Sequence, residues 1–165
     1  MNKIEFNTYI KAPIQQCFDL ARSIDFHKIS VIKEESVSGC TSGLFGPNQH
    51  ALLKSELWGL KLSSEIKIIK FSPPSFMSYE VSDSYFLTIE HDYYFYDISE
   101  ETVMINHFYY RTRWGLIGEL LNFLFLKKIL SNTITKRNDL LREYAETEKS
   151  KDILPIQQRE LSIVC

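Results

Sequence analysis

The sequence predicts an α+β domain in which a curved antiparallel sheet of about seven strands wraps around one long carboxy-terminal helix. Three observations predict it: alternating residues at the amino terminus, closely spaced turn residues through the middle, and helical spacing towards the end. Two short helices are expected after the first strand. At 165 residues the chain fits a single domain with a sizeable core.

The first strand is predicted between Lys3 and Lys11. Every second residue of this segment belongs to one face: Ile4, Phe6, Thr8 and Ile10. That two-residue period is typical of a half-buried strand. Ala12 and Pro13 then end the strand, and a proline at the first helical position loses no hydrogen bond that the helix needs. A short helix is therefore predicted next, followed by a second helical turn over residues 25–30.

Residues 31–112 are predicted to form about six further strands. Turn residues interrupt this stretch every 8–12 residues or so, and no intervening segment has the length of a helix, which favours an antiparallel meander. Aromatic residues crowd the last two strands, at 93–96 and 107–110, as expected where a sheet lines a cavity. Strand alternation leaves open which of two sets faces inward: Met104, Asn106, Phe108 and Tyr110, or Val103, Ile105, His107 and Tyr109.

The long helix is predicted from Leu116 to Tyr144, where apolar residues recur at helical spacing. Its first half is apolar on nearly every side and is expected to be the more deeply buried part. The helical pattern stops near Lys149, and Pro155 follows. We therefore expect one domain over residues 1–148 and a flexible carboxy-terminal extension over residues 149–165.

Composition argues against several classes of partner. A net charge of −2 and 24% charged residues do not favour nucleic-acid binding. The longest apolar stretch, residues 116–126, is well short of the roughly 20 residues that cross a bilayer, so no stable membrane insertion is expected. Residues 1–11 alternate instead of forming the apolar run of a secretory signal, so we expect a cytoplasmic protein. We expect it to be a monomer or a homodimer. Scattered histidines and cysteines without CxxC spacing predict no metal and no cofactor.

Several short motifs resemble one known superfamily. Residues 10–13 (IKAP), 17–21 (CFDLA), His27 and Ser30 resemble the opening of the START-like polyketide cyclase/dehydrase superfamily, also called SRPBCC. Later matches are Gly43-Leu44-Phe45, the set Phe86, His91 and Phe95, the set Tyr110, Gly115 and Gly118, and the helix end at Arg137, Leu141 and Ala145-Glu146. Together they cover about residues 4–146.

The resemblance implies a helix-grip fold with a hydrophobic ligand cavity. Members of the superfamily include lipid carriers, hormone receptors and aromatase/cyclases, and the fold does not select among them. The chain departs from the family pattern at five places: Gln49, Leu52-Leu53, Tyr93, Asn106 and Arg113. These replace the family's usual glutamate, Thr-Trp pair, second histidine, aspartate and proline. These departures favour a ligand-binding role over catalysis.

Four polar residues form the candidate set for orienting a ligand: His27, His91, His107 and Arg137. A histidine or arginine facing an apolar cavity can orient a carbonyl or carboxylate. A purely structural alternative has His27 capping its helix, His91 and His107 on the sheet surface, and Arg137 paired with an acid. The trio Glu90-His91-Asp92 is no catalytic unit, because adjacent strand residues face opposite ways. No G-x-S-x-G elbow is present, and no catalytic residue is predicted.

The sequence thus predicts a module that binds an apolar or amphipathic small molecule between the sheet and the long helix. The predicted ligand-binding residues are His91, Tyr93, Phe95, Phe86, Leu53, Tyr110, Leu120, Leu124 and Arg137. Two alternatives remain. One is a cyclase- or dehydratase-type enzyme in which a histidine moves a proton on a polyketide-like substrate. The other is a protein-interaction module whose cavity is vestigial.

Overall fold

A computed structural model of the chain describes residues 1–30, 34–57, 60–83, 87–112 and 125–154. Its elements in chain order are β1 (Asn2–Ile10), α1 (Ile14–Arg22), α2 (Ile24–Ser30), β2 (Glu34–Gly39), β3 (His50–Leu57), β4 (Leu60–Ser72), β5 (Phe76–Asp83), β6 (Leu87–Ile98), β7 (Glu101–Thr112), α3 (Lys127–Ala145) and α4 (Ser150–Ile153). The predicted order of one strand, two short helices, six strands and a long helix is confirmed.

The seven strands form one antiparallel sheet in the order β1-β7-β6-β5-β4-β3-β2. From β2 to β7 each strand pairs with the next along the chain, and β1 closes against β7 from Asn2↔Tyr110 to Ile10↔Thr102. The register shifts between Ser36 and Ser38 in β2 and between Ile68 and Lys70 in β4. Such bulges bend a strand and increase its twist, so they help the sheet to curve around the helices.

The hairpin between β6 and β7 fixes the register of the central strands. Ser99 and Glu100 both have positive φ, at 51° and 75°. Positive φ at both central residues is the mark of a type I′ turn, whose twist matches that of the flanking strands. This turn aligns Tyr93 with Asn106 and His91 with Phe108. Residues directly opposite each other share a face of the sheet, so these four side chains lie together.

The inner face of the sheet is the one that carries Met104, Asn106, Phe108 and Tyr110. All four are buried. The alternative set, which includes His107 and Tyr109, lies on the outer face. The sequence pattern left this choice open, and the packing of the helices on one side of the sheet decides it.

Helices α1 and α3 cover the inner face and complete the main core. Pro13 is the N-cap residue of α1 and not its first helical residue as predicted, and its carbonyl accepts hydrogen bonds from the N–H groups of Gln16 and Cys17. Phe18 of α1 is fully buried and packs 5.6 Å from the rings of both Phe71 and Phe95. From α3, Leu141 is buried in the same cluster.

The long helix is described from Lys127 onward, and its predicted first half, residues 116–124, lies outside the described residues. The extension predicted from residue 149 begins with the short helix α4. There the Gln16 side-chain amide donates to the Ser150 hydroxyl at 3.0 Å. Residues 155–165 lie outside the described part. Within the described ranges, no helix combines the length and the apolar character that crossing a bilayer requires.

Candidate functional site

A buried arginine of α3 joins the long helix to α1, α2 and the sheet. Arg137 is only 6% exposed. Its guanidinium contacts the Tyr93 hydroxyl at 3.2 Å from Nε, the Ala21 carbonyl at 3.1 Å, the Ser30 hydroxyl at 2.5 Å, and His27 Nδ1 at 3.2 Å. The same guanidinium lies over the Phe26 ring, 5.4 Å from its centroid. Arg137 therefore fixes where α3 sits on the sheet.

A second polar chain starts from the neighbouring residue, Asn138. Its side-chain nitrogen donates to Asn106 Oδ1 at 2.9 Å. The Asn106 nitrogen lies 3.2 Å from His91 Nε2, and the Tyr79 hydroxyl lies 2.9 Å from His91 Nδ1. His91 and Asn106 are at most 1% exposed. The chain thus crosses the interior from α3 through β7 and β6 to β5.

His91 links the contacts of Arg137 to the polar chain that starts at Asn138, and its surroundings keep the ring neutral. Its ring stacks on Tyr93 with centroids 4.1 Å apart and an interplanar angle of 29°. Burial, aided by the positive charge of Arg137, lowers the pKa of His91 well below its ordinary value of 6.5. At neutral pH the ring is therefore uncharged. One ring nitrogen carries a proton and the other accepts a hydrogen bond.

Neutral burial of His91 predicts a loss of stability in acid. The unfolded chain binds a proton at His91 as the pH falls through about 6.5, whereas the folded chain does not until the pH is lower. The free energy of unfolding is therefore highest at pH values above about 6.5. As the pH drops below that value, the free energy of unfolding decreases by at most about 1.4 kcal/mol per pH unit because of this group. Urea unfolding of the wild type at about pH 7.5 and about pH 5.5 measures the fall.

The variant His91→Gln is expected to show a smaller loss of stability over the same pH interval, because it removes the titrating group. The same change at His50, an exposed residue, controls for the loss of a histidine as such. Equal pH dependence of the wild type and His91→Gln would contradict neutral burial of His91.

A small cavity of about 30 Å³ lies beside this network. Its wall is formed by Ala21, Arg22, Ser23, Ile24, His27, Phe45, Ile66, Ile68, Met77, Tyr79 and Arg137. Apolar residues dominate the sheet side, and Arg137 and His27 face it from the helices. Its size admits about one or two water molecules.

The predicted ligand-binding residues lie in different parts of the structure. Arg137 lies in the cavity wall, and His91 is bonded to the wall residue Tyr79. Phe95 packs in the main core, and Leu53 in a second buried cluster with Ile24, Phe45 and Ile66. Tyr110 is fully buried against Phe108 and Ile134, beneath the start of α3. Phe86, Leu120 and Leu124 lie outside the described residues.

Sequence reasoning did not select Tyr79 or Asn138. Tyr79 alternates with Met77 on β5, and Met77 is an apolar residue expected to face inward, so strand parity could have found it. Asn138 is adjacent to the selected Arg137 but carried no signal of its own. Its role depends on Asn106, which is 32 positions away in the chain.

The outer face holds the remaining polar candidates. His107 Nε2 lies 3.3 Å from Glu5 Oε2, on the side of the sheet opposite His91. Asp92 also faces outward, where it accepts a hydrogen bond from the Tyr94 hydroxyl at 3.5 Å. The trio at 90–92 is therefore split between faces, as predicted. Among the described residues, no group of three or more histidine, cysteine or acidic side chains is arranged to hold a metal ion.

Comparison with solved structures identifies the fold. A protein from Thermus thermophilus matches with a TM-score of 0.68 at 17% identity, covering 87% of this chain and 97% of that one. The Zhui aromatase/cyclase of a Streptomyces species matches with a TM-score of 0.68 at 10% identity, covering 88% and 93%. A START superfamily protein of Mycobacterium smegmatis gives 0.65 at 9%, covering 87% and 97%.

The chain has a START-like helix-grip fold, as the sequence motifs predicted. At these identities the likeness defines the architecture and not the activity. No protein-family model matches the chain, and no curated protein matches it. The function of the chain therefore has to be inferred from the residues of its site.

Proposed function

We propose that this chain binds an apolar or amphipathic small molecule between the sheet and the helices α1 to α3. The observation that supports this is the composition of the cavity wall. The sheet contributes Ile66, Ile68 and Met77, while Arg137 and His27 converge from the helices. An apolar wall with a few convergent polar groups is the usual character of a small-molecule site. The apolar part would bury the ligand chain, and the polar groups would orient its end.

The cavity must enlarge when a ligand enters. Its volume of about 30 Å³ is far below the roughly 300 Å³ at which ligand pockets begin. Met77 is unbranched and can change rotamer without disturbing the sheet. Burial of apolar ligand surface contributes about 25 cal/mol per Å², from which the cost of displacing wall side chains is subtracted.

A binding role is favoured over catalysis by two residues that depart from the family pattern. Asn106 stands where the family has an aspartate, and Tyr93 where it has a second histidine. In this chain Asn106 bonds to Asn138 and lies within hydrogen-bonding distance of His91, and the Tyr93 hydroxyl accepts from Arg137. These contacts lie inside the core and hold it together.

Calorimetric titration with decanoate and with decanol tests the proposal. The wild type is expected to bind at least one of them. Ile68→Trp fills the cavity and is expected to weaken binding at least tenfold, a difference of about 1.4 kcal/mol. Ile69→Trp is the matched control, because the next residue along β4 is 40% exposed and outside the cavity wall. It should bind like the wild type.

Two results would count against the proposal. If the wild type bound neither compound, the interaction-module alternative would be favoured. If Ile68→Trp and Ile69→Trp bound as tightly as the wild type, the ligand would lie elsewhere.

A further inference from the structure

The outer face of the sheet carries a buried polar pair, Asp92 and Ser78. Asp92 on β6 lies directly opposite Ser78 on β5. Ser78 is fully buried, and Asp92 is 7% exposed. Within the described part of the chain, neither Asp92 Oδ1 nor Ser78 Oγ has a hydrogen-bond partner, so the two side chains do not bond to each other. A buried carboxylate oxygen and a buried hydroxyl in this condition lower the stability of the fold.

We propose that this pair binds the ammonium group of a primary amine. An ammonium group has three N–H donors and a positive charge. It can donate one hydrogen bond to Asp92 Oδ1 and another to Ser78 Oγ, and its charge balances that of the carboxylate. The site lies on the opposite side of the sheet from the cavity and does not depend on the proposed function.

Aromatic rings lie beside the pair. Tyr94 is the next residue of β6 on the same face, and its hydroxyl donates to Asp92 Oδ2 at 3.5 Å. The centroid of the Tyr94 ring lies 4.8 Å from that of Phe76 and 5.2 Å from that of His107. Aromatic rings attract cations through their faces and offer apolar surface to an alkyl chain. The surroundings of the pair therefore favour an amine whose ammonium group is attached to an apolar chain.

The same face already holds one ammonium group of the chain itself. Lys3 Nζ lies 2.9 Å from Glu5 Oε2 and 5.8 Å from the centroid of the Tyr109 ring. This arrangement is close to the proposed site, because His107 pairs with Glu5 on one side and with Asp92 on the other. A carboxylate next to an aromatic ring is thus an arrangement that accepts an ammonium group on this sheet.

Lys70 is the side chain that an entering amine displaces. It lies opposite Ser78, and its Nζ is 4.0 Å from Glu90 Oε1 on β6. Because β5 lies between β4 and β6, the Lys70 side chain crosses β5 beside Ser78. The Lys70 side chain is 61% exposed, and exposed ion pairs contribute little to stability. An amine can therefore move it aside and reach the two acceptor atoms beneath.

The first test needs no ligand. Asp92→Asn keeps the shape of the side chain but removes the buried charge, so we expect it to raise the midpoint of urea unfolding. Asp139→Asn, at an exposed position of α3, is the matched control and should leave the midpoint almost unchanged. An equal or lower midpoint for Asp92→Asn would show that the fold already satisfies this carboxylate, and it would overturn the proposal.

The second test is a titration of ¹⁵N-labelled protein with hexylamine, followed by NMR. We expect the amide signals of β5 and β6 around Ser78 and Asp92 to shift. Asp92→Asn is expected to weaken binding at least about tenfold, because the charge-assisted hydrogen bond is lost. Asp139→Asn should bind like the wild type. A wild type that does not bind hexylamine, or an Asp92→Asn variant that binds it equally well, would overturn the proposal.

Hexyltrimethylammonium separates hydrogen bonding from charge. It has the same charge and the same alkyl chain as protonated hexylamine but no N–H group. We expect it to bind the wild type at least about tenfold more weakly, since it cannot donate to the two acceptor atoms. Equal affinity for the two cations would mean that the aromatic rings alone attract them, and the assigned role of Asp92 and Ser78 would be wrong.

Ile68→Trp, the variant that fills the cavity, distinguishes the two sites. It is expected to bind hexylamine like the wild type, whatever the decanoate and decanol titrations show. If Ile68→Trp lost the affinity for hexylamine, the amine would lie in the cavity, and the site on the outer face would be ruled out.

The ammonium group can belong to a free amine or to a lysine side chain. Nα-acetyl-lysine methylamide carries the same group on a peptide backbone and is titrated beside hexylamine. Tighter binding of hexylamine supports a free amine as the ligand, and tighter binding of the lysine derivative supports a lysine side chain.

Discussion

Arg137→Ala is expected to lower the free energy of unfolding by about 4 kcal/mol, because it removes a buried cation and several hydrogen bonds at once. The substitution leaves the Tyr93 hydroxyl and the Ala21 carbonyl without the donor that now reaches them. It also opens a cavity under the Phe26 ring. Urea unfolding measured through tyrosine and tryptophan fluorescence gives the value.

Arg142→Ala is the matched control on the same helix. Arg142 is exposed, and its salt bridge to Asp139 spans 3.1 Å at the surface. Exposed pairs contribute less than about 1 kcal/mol, so this variant should unfold almost like the wild type. Similar losses in the two variants would mean that Arg137 does not anchor α3.

A second variant, Arg137→Met, separates packing from hydrogen bonding. Methionine fills much of the same volume but donates nothing. If Arg137→Met restored the wild-type stability, the hydrogen bonds would contribute little, and the filled volume would explain the effect of Arg137→Ala. We expect Arg137→Met to remain clearly destabilised.

Phe95→Ala is expected to cost about 3–5 kcal/mol, the usual range for removing a large aromatic side chain from a filled core. Phe95 is 1% exposed and packs edge-on against Phe18, with the ring centroids 5.6 Å apart. Tyr96→Ala, at the next position of β6, removes a side chain that is 51% exposed and should cost much less. Thermal and urea unfolding measure both variants.

The same pair of variants decides the role of Phe95, which the sequence assigned to the ligand. If Phe95 is a core residue, its truncation lowers the stability of the protein but leaves the affinity of the folded protein for decanoate and decanol close to that of the wild type. If Phe95 contacts the ligand, its truncation lowers this affinity as well. We expect the first result, because Phe95 lies in the main core and is not part of the described cavity wall.

The architecture was predictable because it depends on local patterns. The two-residue alternation of β1 places Ile4, Thr8 and Ile10 on the buried face whatever they pack against. The turn at residues 99–101 was predicted from its polar residues, and the structure places a tight turn there. The motifs between residues 10 and 30 resembled the opening of START-like proteins, and the structure has the fold that this resemblance implied.

The site was less predictable because its contacts join residues far apart in the chain. Arg137 was selected from the sequence, but its hydrogen bond to Tyr93 spans 44 positions and that to Ala21 spans 116. His91 was selected as well, whereas Tyr79 and Asn138, the two ends of its polar chain, were not. No local period encodes such pairs.

The sequence by itself determined the order of the elements, the alternation along each strand and the amphipathic helix, since each depends on neighbouring residues. Only the tertiary structure decided which face of β7 looks inward, because alternation is symmetric until a helix covers one side. It also decided that Asn106 and Tyr93, two departures from the family pattern, bond inside the core. That outcome depends on the pairing of β6 with β7 and on the rotation of α3, and both are set by packing across the whole domain.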